Sequence, residues 1–292
     1  MASVALSLVS PTGTVLPLAS SPWDTGTHRV LSSTTGLGLP ATQAYMAESA
    51  GDGRRVTNVR TAGRQIQLSI GIHGSHRQEV ADAIDELADA VSYSEGLPLP
   101  RLRATYDSGE AREIECFHVS GGEEGMTELG ELTATIHLVL EAPTGWWVAK
   151  DATAFVVSQA DDGQGFLESL PNVWLQTSSA FGDLTLRNPG RAPSRVDWEM
   201  HGPFTRVEAV LNGQRWVLED VVGANESVYL EHTPAGVTVT DNTGASRYRH
   251  LNDTPNFWRV PPGESKASVV VTGATPSTKI IGRFRPQFRQ VF

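Results

Sequence analysis

One amphipathic helix in a chain otherwise built of strands and turns is the feature that most limits how this sequence folds. It sits inside the stretch from Arg64 to Val119. Ile66, Leu68, Ile70 and Ile72 alternate with Gln65, Gln67 and Ser69, the two-residue period of a strand with one buried face. Ser75-His76-Arg77-Gln78 reads as a capping box opening a helix. At about 100° per residue, Val80, Ile84, Leu87 and Val91 fall on one stripe of that helix, and Glu79, Asp82, Glu86 and Asp89 on the opposite side. Gly96, Pro98 and Pro100 stop the helix and launch another strand. The strand and the apolar stripe are expected to share a core, leaving the acidic stripe to solvent or to a neighbouring subunit.

Everything else reads as strands and turns. Val4 to Leu18 gives short strands broken at Pro11-Thr12-Gly13, and Ser20 to Thr35, with Pro22, Trp23 and Asp24, reads as a polar loop. The pattern of Ala41 to Ala50 fits either a strand or a helical turn, and Gly51-Asp52-Gly53 is a turn. Asp107-Ser108-Gly109 joins Leu102–Tyr106 to a strand at Ile114–Val119, and Leu132, Ala134, Ile136, Leu138 and Leu140 alternate cleanly. In the second half, Val207–Leu211 and Gln214–Leu218 flank Asn212-Gly213, a strong hairpin signal. Short strands follow at Val228–Glu231, Val237–Thr240, Ala267–Val271 and Lys279–Phe284, a spacing that indicates a β-sandwich. The expected fold class is mainly β: a first domain over 1–148 with one flanking α-helix, a junction over 149–171, and a β-sandwich over 172–292.

Charge narrows the function. A net charge of −10 argues against a general phosphate-binding surface, although Arg283, Arg285 and Arg289 crowd the C-terminal end. The one cysteine, Cys116, excludes an internal disulfide framework and a cysteine-only structural zinc site, and its strand position suits a buried small hydrophobe. The first residues alternate like a strand and lack the charged and apolar regions of a signal peptide, and no run approaches membrane-spanning length. The chain is expected to be made as a soluble cytosolic protein.

Candidate chemistry is sparse. Gly36-Leu37-Gly38-Leu39-Pro40-Ala41 matches a dinucleotide-binding pattern letter by letter, but the polar Ser32-Ser33-Thr34-Thr35 stand where a hydrophobic strand is needed and no alternation of strands and helices follows, so a turn is expected. His73 and His76 have metal-like spacing, yet the helix starts between them and no nearby carboxylate or cysteine completes a set. Asp161-Asp162-Gly163-Gln164-Gly165 lacks the ligand alternation of a calcium loop. Glu123, Glu124, Glu128 and Glu131 are carboxylates in a loop, and no G-x-S-x-G elbow exists. No catalytic, cofactor-binding or metal residue is assigned, and no enzymatic activity is expected. Trp198, Trp216 and Trp258 are either core or sugar-stacking platforms.

Several segments together resemble a known family. Thr35–Pro40 (T-G-L-G-L-P), Gly63–Gly74 (G-R-Q-I-Q-L-S-I-G-I-H-G), the short helix, P-R-L-R at Pro100–Arg103 and C-F-H-V-S-G at Cys116–Gly121 are similar to siphophage distal tail proteins. F-W-R-V-P-P-G-E-S at Phe257–Ser265 and R-F-R-P at Arg283–Pro286 resemble the ends of actinobacterial-phage members. The resemblance implies an N-terminal belt domain, a split β-barrel flanked by the helix, followed by a galectin-like β-sandwich. It implies six copies in a ring at the distal end of the tail, in a virion assembled in the host cytoplasm. The ring would join the tail tube protein to the tail-associated hub or tip protein that carries receptor-binding parts, with the tape measure protein as a further partner. An axial channel would pass DNA without sequence-specific binding, and nothing would insert in a membrane. The competing readings are a carbohydrate-binding sandwich that contacts host cell-surface glycans, which needs exposed tryptophan rings, and a glycoside hydrolase, which needs facing carboxylates.

Overall fold

The alternation that opens the sequence argument becomes a ten-residue strand, Arg64–His73, with Ile66, Leu68, Ile70 and Ile72 buried and Gln65 and Gln67 exposed. The structure is a computed structural model and describes residues 4–19, 27–48, 51–123, 132–158, 173–175, 179–180, 182–233 and 235–291. Two units divide the chain: residues 1–150 with 288–292, and residues 151–287.

The first unit runs β1 (Val4–Val9), β2 (Val15–Pro17), β3 (His28–Thr35), β4 (Thr42–Glu48), β5 (Arg54–Thr61), β6 (Arg64–His73), α1 (Arg77–Val91), β7 (Arg101–Tyr106), β8 (Ala111–Glu115), β9 (Phe117–Gly121), β10 (Thr133–Ala142) and β11 (Trp147–Ala149). One sheet is ordered β2-β1-β7-β8-β11 and continues into the C-terminal residues; a second is ordered β3-β6-β10-β9; β4 and β5 pair only with each other. Val80, Ala83, Leu87, Ala90 and Val91 of α1 are buried in the same cluster as Ile66, Leu68, Ile70 and Ile72, with Leu102, Ile136 and Leu140. Strand and helix share a core, as the two periodicities require.

Four details differ from the sequence reading. The helix cap is not a Ser75 side chain: His76 is the N-cap and makes no side-chain cap bond, while the Glu79 carboxylate accepts from the Ser75 backbone N–H at 2.7 Å. The carboxylate therefore reaches past the cap to the residue before it, and neither bond of a capping box is formed. Residues 28–35, read as part of a polar loop, form β3 against β6; a register shift between Leu31 and Ser33 breaks the alternation that would have revealed it. Of the undecided stretch at 41–50, residues Thr42–Glu48 form a strand, β4, which pairs with β5. The expected strand Ile114–Val119 is split at Cys116: β8 pairs with β7 in one sheet, and β9 pairs with β10 in the other. Ile114 and Cys116 on either side of the switch are both buried, so the break lets one extended run serve two sheets around one core.

The second unit runs β12 (Ala152–Ser158), β13 (Val173–Leu175), β14 (Ser179–Ala180), β15 (Gly182–Asn188), β16 (Ser194–His201), β17 (Phe204–Leu211), β18 (Gln214–Val222), β19 (Ser227–Thr233), β20 (Gly236–Asp241), β21 (Arg259–Val260), β22 (Gly263–Thr272) and β23 (Lys279–Phe284). One sheet follows β13-β12-β23-β16-β19-β20, with β14 and β21 at its margins; the other is ordered β15-β22-β17-β18. Their buried faces enclose Phe155, Trp198, Phe204, Trp216, Trp258 and Phe284. Asn212 and Gly213 both take positive φ (48° and 79°) between Leu211 and Gln214, the two-residue turn that Asn-Gly favours.

The boundaries differ from 1–148, 149–171 and 172–292 at both ends of the last segment. β12 lies inside the expected junction, yet it pairs with β23. The last residues return to the first unit, where the short strand β24 (Gln287–Phe288) closes the six-stranded sheet beside β11. There Val291 is fully buried and donates its N–H to the Leu37 carbonyl at 3.2 Å.

Candidate functional site

The residues with chemical potential are dispersed or engaged in structure. His73 ends β6 and His76 caps α1, and no group of metal ligands forms among the described residues. Glu123 is exposed; Glu124, Glu128 and Glu131, the Asp161–Gly165 run, and Pro22, Trp23 and Asp24 lie outside the described residues. Gly36 takes φ 82°, and a Cβ there would stand 2.1 Å from the Gln65 carbonyl, so this glycine permits a tight turn; β4 follows it, not a helix. Burial pushes the Cys116 thiol up to about 12, so it is an inert core group at neutral pH.

Trp198, Trp216 and Trp258 are buried and pack edge-on at 4.9–5.0 Å between ring centroids. None is available to stack on a sugar. The polar clusters of the second unit are likewise closed. Arg247 lies between two buried carboxylates, with Nε 3.0 Å from Asp241 and Nη1 3.3 Å from Asp220. Asp241 also accepts from the Thr243 hydroxyl at 2.6 Å and the Ala245 N–H at 3.0 Å; these bonds, Thr243 foremost, hold its carboxyl far below the usual range. Glu199 is held low first by the His201 ring at 2.9 Å and then by Arg283 at 2.6 Å. With their lone pairs occupied, these groups anchor loops and strands.

A structural cation organises the first unit. Arg64, buried at the start of β6, donates to the Gly36 carbonyl at 3.0 Å, the Gly38 carbonyl at 2.8 Å, the Arg289 carbonyl at 2.8 Å and the Gly145 carbonyl. Arg112 adds a bond to the Gln290 carbonyl at 2.8 Å and stacks over Phe288. These bonds hold the C-terminal residues in place, and Arg289 itself lies over Trp146.

What remains open is surface of the first unit. On the polar side of β6 and β10, Gln65, Gln67, Gly71 and His73 lie in register with Glu141, Val139, Thr135 and Thr133, and the buried Ser69 with His137. This face carries one full charge, Glu141, and no lysine or arginine.

The β4–β5 ribbon is exposed along nearly its whole length. Its register sets Ala44 opposite Val59 and Met46 opposite Val56, so these four share one face; Gln43, Tyr45 and Arg60 share the other, where Arg60 bonds Gln43 at 2.9 Å and lies over the Tyr45 ring. Met46, Val56 and Val59 are 51–56% exposed, so the apolar face is left open by the described residues. Sequence periodicity missed this face because a register shift between Tyr45 and Met46 spaces Val56 and Val59 three apart.

A third open feature is an apolar groove of about 620 Å³ beside α1, lined by Leu87, Ala88, Val91, Tyr93, Phe117, Ile136 and Leu138 among others. Tyr93 (61% exposed), Leu97 and Val119 add further exposed apolar surface in the segments that border it. β9, which contributes to the lining, is the edge of its sheet among the described residues. The acidic stripe also divides here. Glu86 pairs with Arg29, Asp82 accepts from Gln78 at 2.7 Å, and Asp89 stays exposed.

Two solved phage structures share this arrangement across almost the entire chain. SPP1 Dit (gp 19.1), described as a paradigm of the hub adsorption apparatus in phages infecting Gram-positive bacteria, matches with a TM-score of 0.62 at 10% identity, over 97% of this chain and 99% of that one. A chain of the phage P2 baseplate, in its activated conformation with Ca, matches with a TM-score of 0.54 at 9% identity, over 97% of this chain and 98% of its own. No family model and no curated protein matches by sequence. The likeness shows a shared Dit-like fold, mainly β with one α-helix among the described residues.

Proposed function

We propose that this protein is a structural component of a long non-contractile phage tail. In this reading six copies form a ring at the distal tail tip, the first unit acting as the belt and the second as a galectin-like sandwich. The ring joins the tail tube protein to the hub or tip protein and meets the tape measure protein. The observation that carries the reading is the fold likeness to SPP1 Dit over 97% of this chain and 99% of the other, with neither unit left unmatched.

Two features of the first unit support it. The ribbon and groove leave apolar surface of the kind that marks assembly contacts. The β6–β10 face, polar and without lysine or arginine, has the chemistry of a channel wall past which DNA slides, since retention on phosphate needs clustered cations. Head-to-tail contacts that close after six rotations give such a ring. The protein acts by position and performs no catalysis.

Light-scattering mass and negative-stain images of the purified chain test this directly. Six-fold rings with a central hole are the expected result; a chain that stays monomeric at tens of micromolar overturns the ring.

A further inference from the structure

We propose that the polar face of β3, β6 and β10 is a proton-switched phosphate contact. It lets a phosphodiester polyanion slide past near neutral pH and holds it once its histidines are protonated. The inference deepens the channel-wall reading of that face and rests on it.

The register gathers the groups. His28 on β3 stands directly opposite His73 on β6, and Val30 opposite Gly71, so this end of β3 shares the polar side of β6. Across β6, His73 pairs with Thr133 and Ser69 with His137, which sets His137 on the same side further along β10. The His73 ring lies back over Gly71, with Nε2 3.6 Å from the place a Cβ would take there, so the ring rests on the face. His73 and His137 are exposed, and His28 is half-buried.

The surroundings decide what these rings can do. Their neighbours across the face are amides, hydroxyls and valines, and the one carboxylate, Glu141, lies toward the far end of β10 opposite Gln65. On β9, Ser120 is in register with Val139. Where β6 runs on into α1, His76, Arg77 and Glu79 follow, the Glu79 carboxylate accepting from the Ser75 N–H. Arg29 belongs to the opposite side: it is in register with the buried Ile72 and pairs with Glu86 of α1. Histidine is the side chain whose ordinary charge change falls between pH 5 and 8. With His28, His73, His137 and Glu141, the face carries one negative charge above that range and a net of two positive charges below it. His28 and His73, protonated and directly opposite, repel each other, and an anionic oxygen set between them relieves the repulsion. Phosphate is the ligand that clustered cations hold without any base contact, and salt weakens that hold. In a ring the change repeats in every copy, so a modest effect per copy is multiplied around the channel.

The experiment follows the fluorescence anisotropy of a short labelled DNA duplex mixed with the full chain at low salt, at about pH 7.5 and about pH 5.5. Binding is expected to tighten at least about tenfold on acidification and to fade with added salt. His73→Gln with His137→Gln, both at exposed positions, is expected to remove the tightening with an unchanged melting temperature. His73→Lys with His137→Lys is expected to bring tight binding to the higher pH. An acid response that survives the glutamine pair overturns the inference, because other groups then carry it. A lysine pair that binds no better than the unaltered chain at the higher pH also overturns it. Light-scattering mass on the same samples separates the two readings. Rings without an acid response overturn the switch alone, whereas a chain that stays monomeric overturns the ring and the channel with it.

Discussion

The two units bury different chemistry and leave different surfaces. The second packs six large aromatics, with Trp198 edge-on to Phe155, Trp216 and Trp258. The first packs aliphatic side chains from α1 and two sheets, and Trp147 is its one fully buried aromatic among the described residues. Outside, the order reverses. Of the large hydrophobic side chains exposed among the described residues, eleven belong to the first unit and three, Val221, Tyr248 and Val270, to the second. The aromatic sandwich finishes its burial within one chain, whereas the helix-bearing unit leaves apolar surface that only another surface can cover. The unit with the one helix is therefore the half to examine for assembly.

That contrast can be broken. Trp198→Ala empties a site ringed by three aromatics, and a loss of about 3–5 kcal/mol is expected in urea unfolding. If the second unit is self-sufficient, this loss stays the same when the protein is diluted. A loss that grows on dilution means that the aromatic core also depends on neighbours.

Arg64→Met sharpens the account of the first unit. It removes the donor from four backbone carbonyls while keeping most of the apolar stem, so about 2–3 kcal/mol is expected to go. The C-terminal residues should then be trimmed faster by a carboxypeptidase, because Arg289 loses its bond. Unchanged trimming would leave β24, Arg112 and the buried Val291 as sufficient anchors.

The smallest expected effect is one of pH. The folded-state pKa of Asp241 lies well below its unfolded value, so its contribution is fully present above about pH 4 and fades as pH falls further toward the folded value. Melting temperature against pH, between 5 and 3, should fall less steeply in Asp241→Asn than in the unaltered chain. Equal slopes would show that other carboxylates govern the acid limb.

Much of the architecture was legible where one strong period met one strong stop. The Ile66–Ile72 alternation, the Val80–Val91 stripe, the Asn212-Gly213 turn and the Ala134–Leu140 alternation each became the expected element, while Leu132 stays exposed just before β10. The ribbon was not legible, since the bulged spacing of Val56 and Val59 imitates no period, and its faces exist only once β4 and β5 are in register. Nor was β3, whose polar side chains follow from lying at a sheet edge.

The sequence by itself determined the β-rich class and the amphipathic helix over Arg77–Val91, because these depend on local periodicity. The tertiary structure alone decided that Trp198, Trp216 and Trp258 are core, that the chain switches sheets at Cys116, and that the last residues close the first unit through Arg64 and Leu37. Those outcomes join residues far apart in the chain, and a contact across more than two hundred positions leaves no local trace.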